Sequence, residues 1–203
     1  AWMKSRGRAV DHALYDAVRG VEKRLETNNT DAEVTGDTTG LTAFNSDGWT
    51  MGALDQINGT TATNSFVGWA WKANGAGSSN TDGSITSTVS ANQAAGFSIV
   101  TYTGTGANAT VGHGLGVAPK LVIVKQRSSG TTENWAVWHT DIANTEYLLL
   151  NSTAAKATGA TYWNSTSPTS SVFSVGTAND TNESTKDFVA YCFAEIPGYS
   201  KIG

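Results

Sequence analysis

The stretch Thr110–Arg127, TVGHGLGVAPKLVIVKQR, joins a glycine-rich corner to an apolar run that ends in two cations. Gly112, Gly114 and Gly116 precede the run instead of following a strand and opening a helix. A phosphate loop needs the second order, because a helix N-terminus supplies the amides that meet the anion. The corner therefore reads as a tight β connection. Its glycines supply backbone angles that other residues avoid, and Pro119 closes the turn where no ladder hydrogen bond is donated. His113 is expected to cap this turn through a ring hydrogen bond. The run KLVIVKQ is apolar at consecutive positions, the pattern of a strand buried on both faces.

That strand has a twin. AWMKSR (Ala1–Arg6) aligns with LVIVKQR (Leu121–Arg127), pairing Lys4 with Lys125 and Arg6 with Arg127. ALYD (Ala13–Asp16) aligns with AVWH (Ala136–His139), and LETNNTDAE (Leu25–Glu33) with LLLNSTAAK (Leu148–Lys156). GWTMG (Gly48–Gly52) aligns with VFSVG (Val172–Gly176), and FVGWAWKANG (Phe66–Gly75) with FVAYCFAEIPG (Phe188–Gly198). Five blocks in one order, at offsets of 121 to 124, indicate an internal duplication. The expected organisation is a first β unit at residues 1–75, a Gly/Ser/Asn linker at 76–84 and a second β unit at 85–203. The first unit has no counterpart of Gly96–Lys120. Its opening strand near Ala1 is therefore expected to need a neighbour: the second unit, another chain, or residues outside this sequence.

Composition points to the same fold class. Of 203 residues, 39% are hydrophobic and only 15% charged, with 22 Gly and seven Trp, so strands and turns are favoured over helices. GFSIVTYTG and SFVGWAWKA alternate with period two, and Asp47-Gly48, Asn58-Gly59 and Asp82-Gly83 are turn signals. AVDHALYDAVRGVEKRLE (Ala9–Glu26) has helical spacing, but Gly20 and the repeat favour strand and loop. The fold expected is all-β: two related antiparallel units of β-sandwich or jelly-roll type.

Charge and motifs exclude several functions. The net charge is −4, and outside Lys4, Arg6 and Arg8 the cations are scattered, so no nucleic-acid footprint is present. No apolar run is long enough to span a bilayer, and the start lacks the core of a secretion signal. The single Cys192 cannot form an internal disulfide and is expected to be a buried structural thiol. There is no nucleophile elbow and no EF-hand spacing, and no metal or cofactor is expected. Asp11, Asp16, Asp141 and Glu146 are candidate carboxylates, but no spacing singles out a catalytic pair, so no enzyme is expected. His12 and His139 fall in matching regions and form no triad with His113. Six tryptophans offer a sugar-stacking platform or a core. Trp69 and Trp71 share one strand face, which favours core. Trp163, in TYWNSTSPTS, is the candidate for an exposed surface contact.

DGSITSTVSANQAAGFSIVTYTGTG, VGHGLGVAPKLVIVKQR, NWAVWHT, YLLLNSTAA, FSVG and DFVAYCFAEIPGYSKIG together resemble a β-rich domain. This uncharacterised domain recurs in structural, tail-fibre-like proteins of marine tailed phages, notably cyanophages. The resemblance covers Asp82–Gly203, and the preceding blocks resemble the segment that usually comes before it. It implies a virion component, often beside lectin-like domains, with no enzyme activity and no binding residues to carry over. The expected role is a tail fibre or receptor-binding module. Its partners would be other virion proteins, copies of itself, and a host-surface glycan or protein. A head fibre or capsid decoration protein, and more remotely a polysaccharide depolymerase, are the alternatives.

Overall fold

The computed structural model describes residues 1–61, 64–130 and 132–203. Its N-terminal part contains β1 (Trp2–Ser5), β2 (Ala13–Leu14), β3 (Lys23–Arg24), β4 (Val34–Thr35), β5 (Leu41–Phe44) and β6 (Trp49–Met51). A one-turn helix, α1 (Asp55–Asn58), and β7 (Phe66–Trp69) follow. The C-terminal part contains β8 (Ser78–Asn80), β9 (Ser87–Asn92), β10 (Phe97–Thr103), β11 (Ala109–Gly112), β12 (Leu121–Gln126) and β13 (Ala136–His139). It continues with β14 (Glu146–Leu149), β15 (Ala157–Thr158), α2 (Ala160–Trp163), β16 (Val172–Val175), α3 (Asn179–Asn182) and β17 (Asp187–Phe193). The protein is all-β; every pairing between these described strands is antiparallel, and one isolated parallel bridge joins Ile85 to Val111. Ala9–Glu26 holds two short strands and loops, with no helix.

An eight-stranded sheet, ordered β15-β14-β13-β12-β17-β10-β9-β8, organises the molecule. Period-two alternation sends its side chains to opposite faces. Val100 and Tyr102 of β10, Val122 and Val124 of β12, and Phe188, Ala190 and Cys192 of β17 share one apolar cluster. Val111, Phe173 and Val175 of the β11–β16 pair cover that face, together with Leu115 and Trp163. Phe97, Ile99, Val189 and Tyr191 form the other face with Trp135, and they pack on Leu14 and Leu25 of the N-terminal part. β12 thus has apolar neighbours on both sides, with Val122 and Val124 buried and Leu121 and Ile123 half-buried, which is why its sequence does not alternate. Each fully buried Val, Leu or Phe in these layers contributes about 1.5–3 kcal/mol.

The N-terminal part holds a three-stranded sheet, β2-β1-β7. Its register repeats that of β13-β12-β17. Met3 faces Ala13 and Trp2 faces Leu14; Val124 faces Ala136 and Ile123 faces Val137. Trp2, Met3, Lys4 and Ser5 face Trp69, Gly68, Val67 and Phe66; Ile123, Val124, Lys125 and Gln126 face Tyr191, Ala190, Val189 and Phe188. The bridge Leu14–Leu25 matches Val137–Leu148. The amides of Gly52 and Leu54 bond the carbonyls of Gly40 and Thr39, as those of Gly176 and Ala178 bond Tyr162 and Thr161. A Cβ on Gly52 would strike the Thr39 backbone, and one on Gly176 the Thr161 backbone, so both corners require glycine.

Two boundary expectations are corrected. Within the expected linker 76–84, Ser78–Asn80 is β8, the edge strand of the large sheet, because β9 extends far enough to template it. The opening strand is not the unpaired one: β1 lies between β2 and β7, and the strand with an open edge is β7.

Candidate functional site

At the glycine-rich corner, Gly112 ends β11, and Gly114 and Gly116 take positive φ of 69° and 75°. A Cβ on Gly112 would strike the Asn80 side chain. Pro119 is buried, one residue before Lys120 leads into β12. His113 is fully buried; its Nδ1 accepts from the Leu115 amide at 3.2 Å, which leaves Nε2 to donate to the Thr169 carbonyl at 3.1 Å. The imidazole is neutral in this geometry, and burial lowers its pKa below the ordinary value. Both ring nitrogens are committed to backbone, so His113 holds a turn and meets no other catalytic group.

A pH effect follows from the sign of that shift. Below about pH 6.5 the unfolded chain binds a proton that buried His113 resists, so stability rises with pH through that range. His12, whose pKa burial also lowers, acts in the same direction. Thermal unfolding at pH 7.5 and 5.5 should show a lower midpoint at the acid pH. The drop should be smaller in His113→Asn, which keeps a short hydrogen-bonding group and cannot charge.

Tryptophan placement overturns two expectations. Trp163 is only 2% exposed and cannot be a surface contact. It ends the single turn of α2, and left-handed Asn164 and Ser165 then reverse the chain, so the indole packs into the Phe173–Val175 cluster. Trp69 and Trp71, expected in the core, are 45% and 41% exposed. They lie at and just beyond the end of β7, where no further strand covers them.

These rings belong to a string. Trp2 lies 6.1 Å from Trp69 and 6.4 Å from Trp71, and Trp71 lies 5.9 Å from Phe193 and 6.3 Å from Phe97. Trp2, Trp71, Phe97 and Phe193 of this string line a cleft of about 670 Å³ between the N-terminal part and the large sheet, within the usual size of a ligand site, and Trp69 lies just outside it. Ile99, Ile123, Trp135 and Tyr191 form one wall. Phe44, Asn45 and Ser46, from the β5–β6 turn, and Lys72 are exposed lining residues. Thr27 also borders the cleft, but its hydroxyl is buried away from it and has no hydrogen-bond partner among the described residues. Of this set the sequence marked only the tryptophans. Trp2 is aligned with Ile123 as a strand residue, and Phe44, Asn45, Thr27 and Lys72 carry no motif.

Below the cleft sits a buried polar network. Asp16 accepts from the amides of Val18 and Arg19, from Arg19 Nε and from the Tyr191 hydroxyl at 2.7 Å. Burial alone would raise the Asp16 pKa; the Arg19 guanidinium and these hydrogen bonds hold it below the ordinary value. Arg19 also donates to Glu33 at 2.8 Å, and Glu33 meets Arg127 at 3.1 Å. Lys125 donates to the carbonyls of Thr30 and Glu133, and Trp135 Nε1 to that of Glu26 at 2.9 Å. The network ties the N-terminal part to the large sheet.

The remaining candidate acids are committed elsewhere. Glu146 pairs with Lys156, Asp11 accepts from Asn28, and Asp141 lies beside His139. Among the described residues, no cluster of three or more His, Cys, Asp or Glu is placed to hold a metal ion. Cys192 is fully buried, and burial pushes its thiol up to about 12. Among the described residues, no helix is long and apolar enough to cross a membrane.

A family model described as a domain of unknown function, DUF7483, matches residues 1–203. No curated protein and no solved structure matches the chain.

Proposed function

The chain belongs to this family of domains of unknown function, and from that premise we propose a binding module of a phage particle that engages glycans on the host surface. The observation that carries the reading is the ring string in which exposed Trp71 and half-buried Trp2 line the cleft, with exposed Trp69 beside it. A sugar ring offers an apolar C–H face and a rim of hydroxyls. Indole faces take the first, and exposed Asn45, Ser46 and Lys72 offer hydrogen bonds to the second. Aromatic residues with polar neighbours suit such half-wet contacts.

The module consists, in this reading, of two copies of one β unit, which the shared register of β2-β1-β7 and β13-β12-β17 supports. Its place on a tail fibre or receptor-binding protein rests on the resemblance of Asp82–Gly203 to phage structural proteins. No covalent step is assigned to the cleft: Asp16, its one acid, is held as a structural carboxylate.

The test is a glycan array followed by titration with Trp71→Ala. The variant should keep the wild-type thermal midpoint within a few degrees and bind at least tenfold more weakly, about 1.4 kcal/mol. Equal binding by both proteins, or no glycan bound by the wild type, would overturn the reading. Shortening of the polymer during incubation would favour a depolymerase instead.

A further inference from the structure

The second sheet supplies a template for the open edge of the first. In the large sheet, β17 is held on one side by β12 and on the other by β10. The flanking bonds from Gly104 to Lys186 and from Ala194 to Gly96 set the parity of the β10–β17 ladder. Phe188, Ala190 and Cys192 therefore direct their amides and carbonyls at Tyr102, Val100 and Ser98. By register, the matching residues of the N-terminal sheet are Phe66, Gly68 and Ala70. Among the described residues β7 pairs only with β1, and Gly68, Trp69 and Ala70 are exposed. The large sheet cannot fill the gap, because β10 lies between β17 and β9.

We infer that the open edge of β7 is a docking site for an antiparallel strand of the β10 type, which none of the described residues supplies. Its side-chain requirements can be read from β10. Ile99, Val100, Thr101 and Tyr102 face Tyr191, Ala190, Val189 and Phe188, the counterparts of Trp69, Gly68, Val67 and Phe66. Tyr102 stacks on Phe188 with ring centroids 5.1 Å apart and planes 11° apart. The docked strand would therefore place an aromatic residue against Phe66 and a β-branched residue against Gly68, beside the Trp49 indole, which lies 3.1 Å from where a Gly68 Cβ would stand. This is strand addition, in which backbone bonds give affinity and alternate side chains give specificity. The inference rests on the register of two sheets and stands whether or not the cleft binds glycan.

The experiment adds a soluble peptide of sequence GFSIVTYTG, flanked by lysines, to the full 203-residue protein and follows amide exchange residue by residue. Exchange at Phe66, Gly68 and Ala70 should slow at least tenfold and saturably. The same peptide with proline at the position of Val100 should have no effect. Unchanged exchange at these three amides would overturn the inference. So would a dimer by light scattering in which they are already protected without peptide, because a second copy would then fill the edge.

Discussion

Replacing Arg19 by Met should destabilise the protein by about 3–5 kcal/mol in urea unfolding at neutral pH, the cost of breaking a buried ion pair from one side. The Arg19 side chain has no solvent exposure and serves Asp16, Glu33 and the carbonyls of Lys23 and Leu14. Met fills much of the stem volume but leaves those four acceptors short of a donor. Glu33 keeps Arg127, so the uncompensated charge falls mainly on Asp16.

Two further results would identify that charge as the cause. Asp16→Asn added to Arg19→Met should recover part of the loss, a non-additivity expected of residues in contact. The pH dependence should also change. In the wild type the Asp16 pKa is depressed, so its contribution is complete above the unfolded value, about 3.9, and is lost as pH falls through the folded one. Without Arg19, burial dominates and the folded pKa rises, so the protonated acid is the form the fold prefers. The gap between variant and wild type should narrow toward pH 4. A gap independent of pH would mean that lost packing, not the bare carboxylate, causes the instability.

Trp135→Ala should cost about 3–5 kcal/mol through the cavity it leaves. Trp135 is fully buried where the large sheet meets Leu14 and Leu25, and it stacks on Tyr191 at 6.5 Å. Its indole also bonds the Glu26 carbonyl across that contact, and losing this partner adds about 1 kcal/mol. The damage should be local to the junction. Amides of β2 and β3 should exchange faster than those of β10 and β17, which keep their own ladder and the opposite face of the sheet. Trp71→Ala makes the contrast: a more exposed indole of the same size should be removed at a cost near that of a surface substitution, about 0.5 kcal/mol. Equal losses at the two positions would contradict the burial pattern.

The central strands of the large sheet were legible because each carries its own signal, whereas Ser78–Asn80 read as linker. Phe97–Thr103 alternates, Leu121–Gln126 is apolar throughout, and glycine and asparagine punctuate the chain between them. Four of the five aligned blocks fall opposite each other in the same register in both sheets, whereas Trp49–Met51 pairs with Leu41–Phe44 and its counterpart Val172–Val175 with Ala109–Gly112. The tryptophans were not legible in the same way. Trp163 sits in a polar loop sequence yet is buried, because left-handed Asn164 and Ser165 turn the chain back over it. Trp71 sits in an apolar block yet is exposed, because the strand that would cover its neighbours is absent from the N-terminal sheet.

The site depended on such long-range placement. Arg19 and Asp16 are three residues apart, but Tyr191 reaches Asp16 across 175 positions, and no local pattern announces that bond. The cleft forms between two sheets, from residues that read individually as core or loop.

By itself the sequence determined the all-β class, the central strands of the large sheet and the glycine-rich corner before β12, because backbone preference and side-chain alternation act over a few residues. Only the tertiary structure decided which aromatic rings reach solvent, which charges are buried together and which sheet edge stays open. Those outcomes depend on what each face meets across space, and that is settled when the sheets pack.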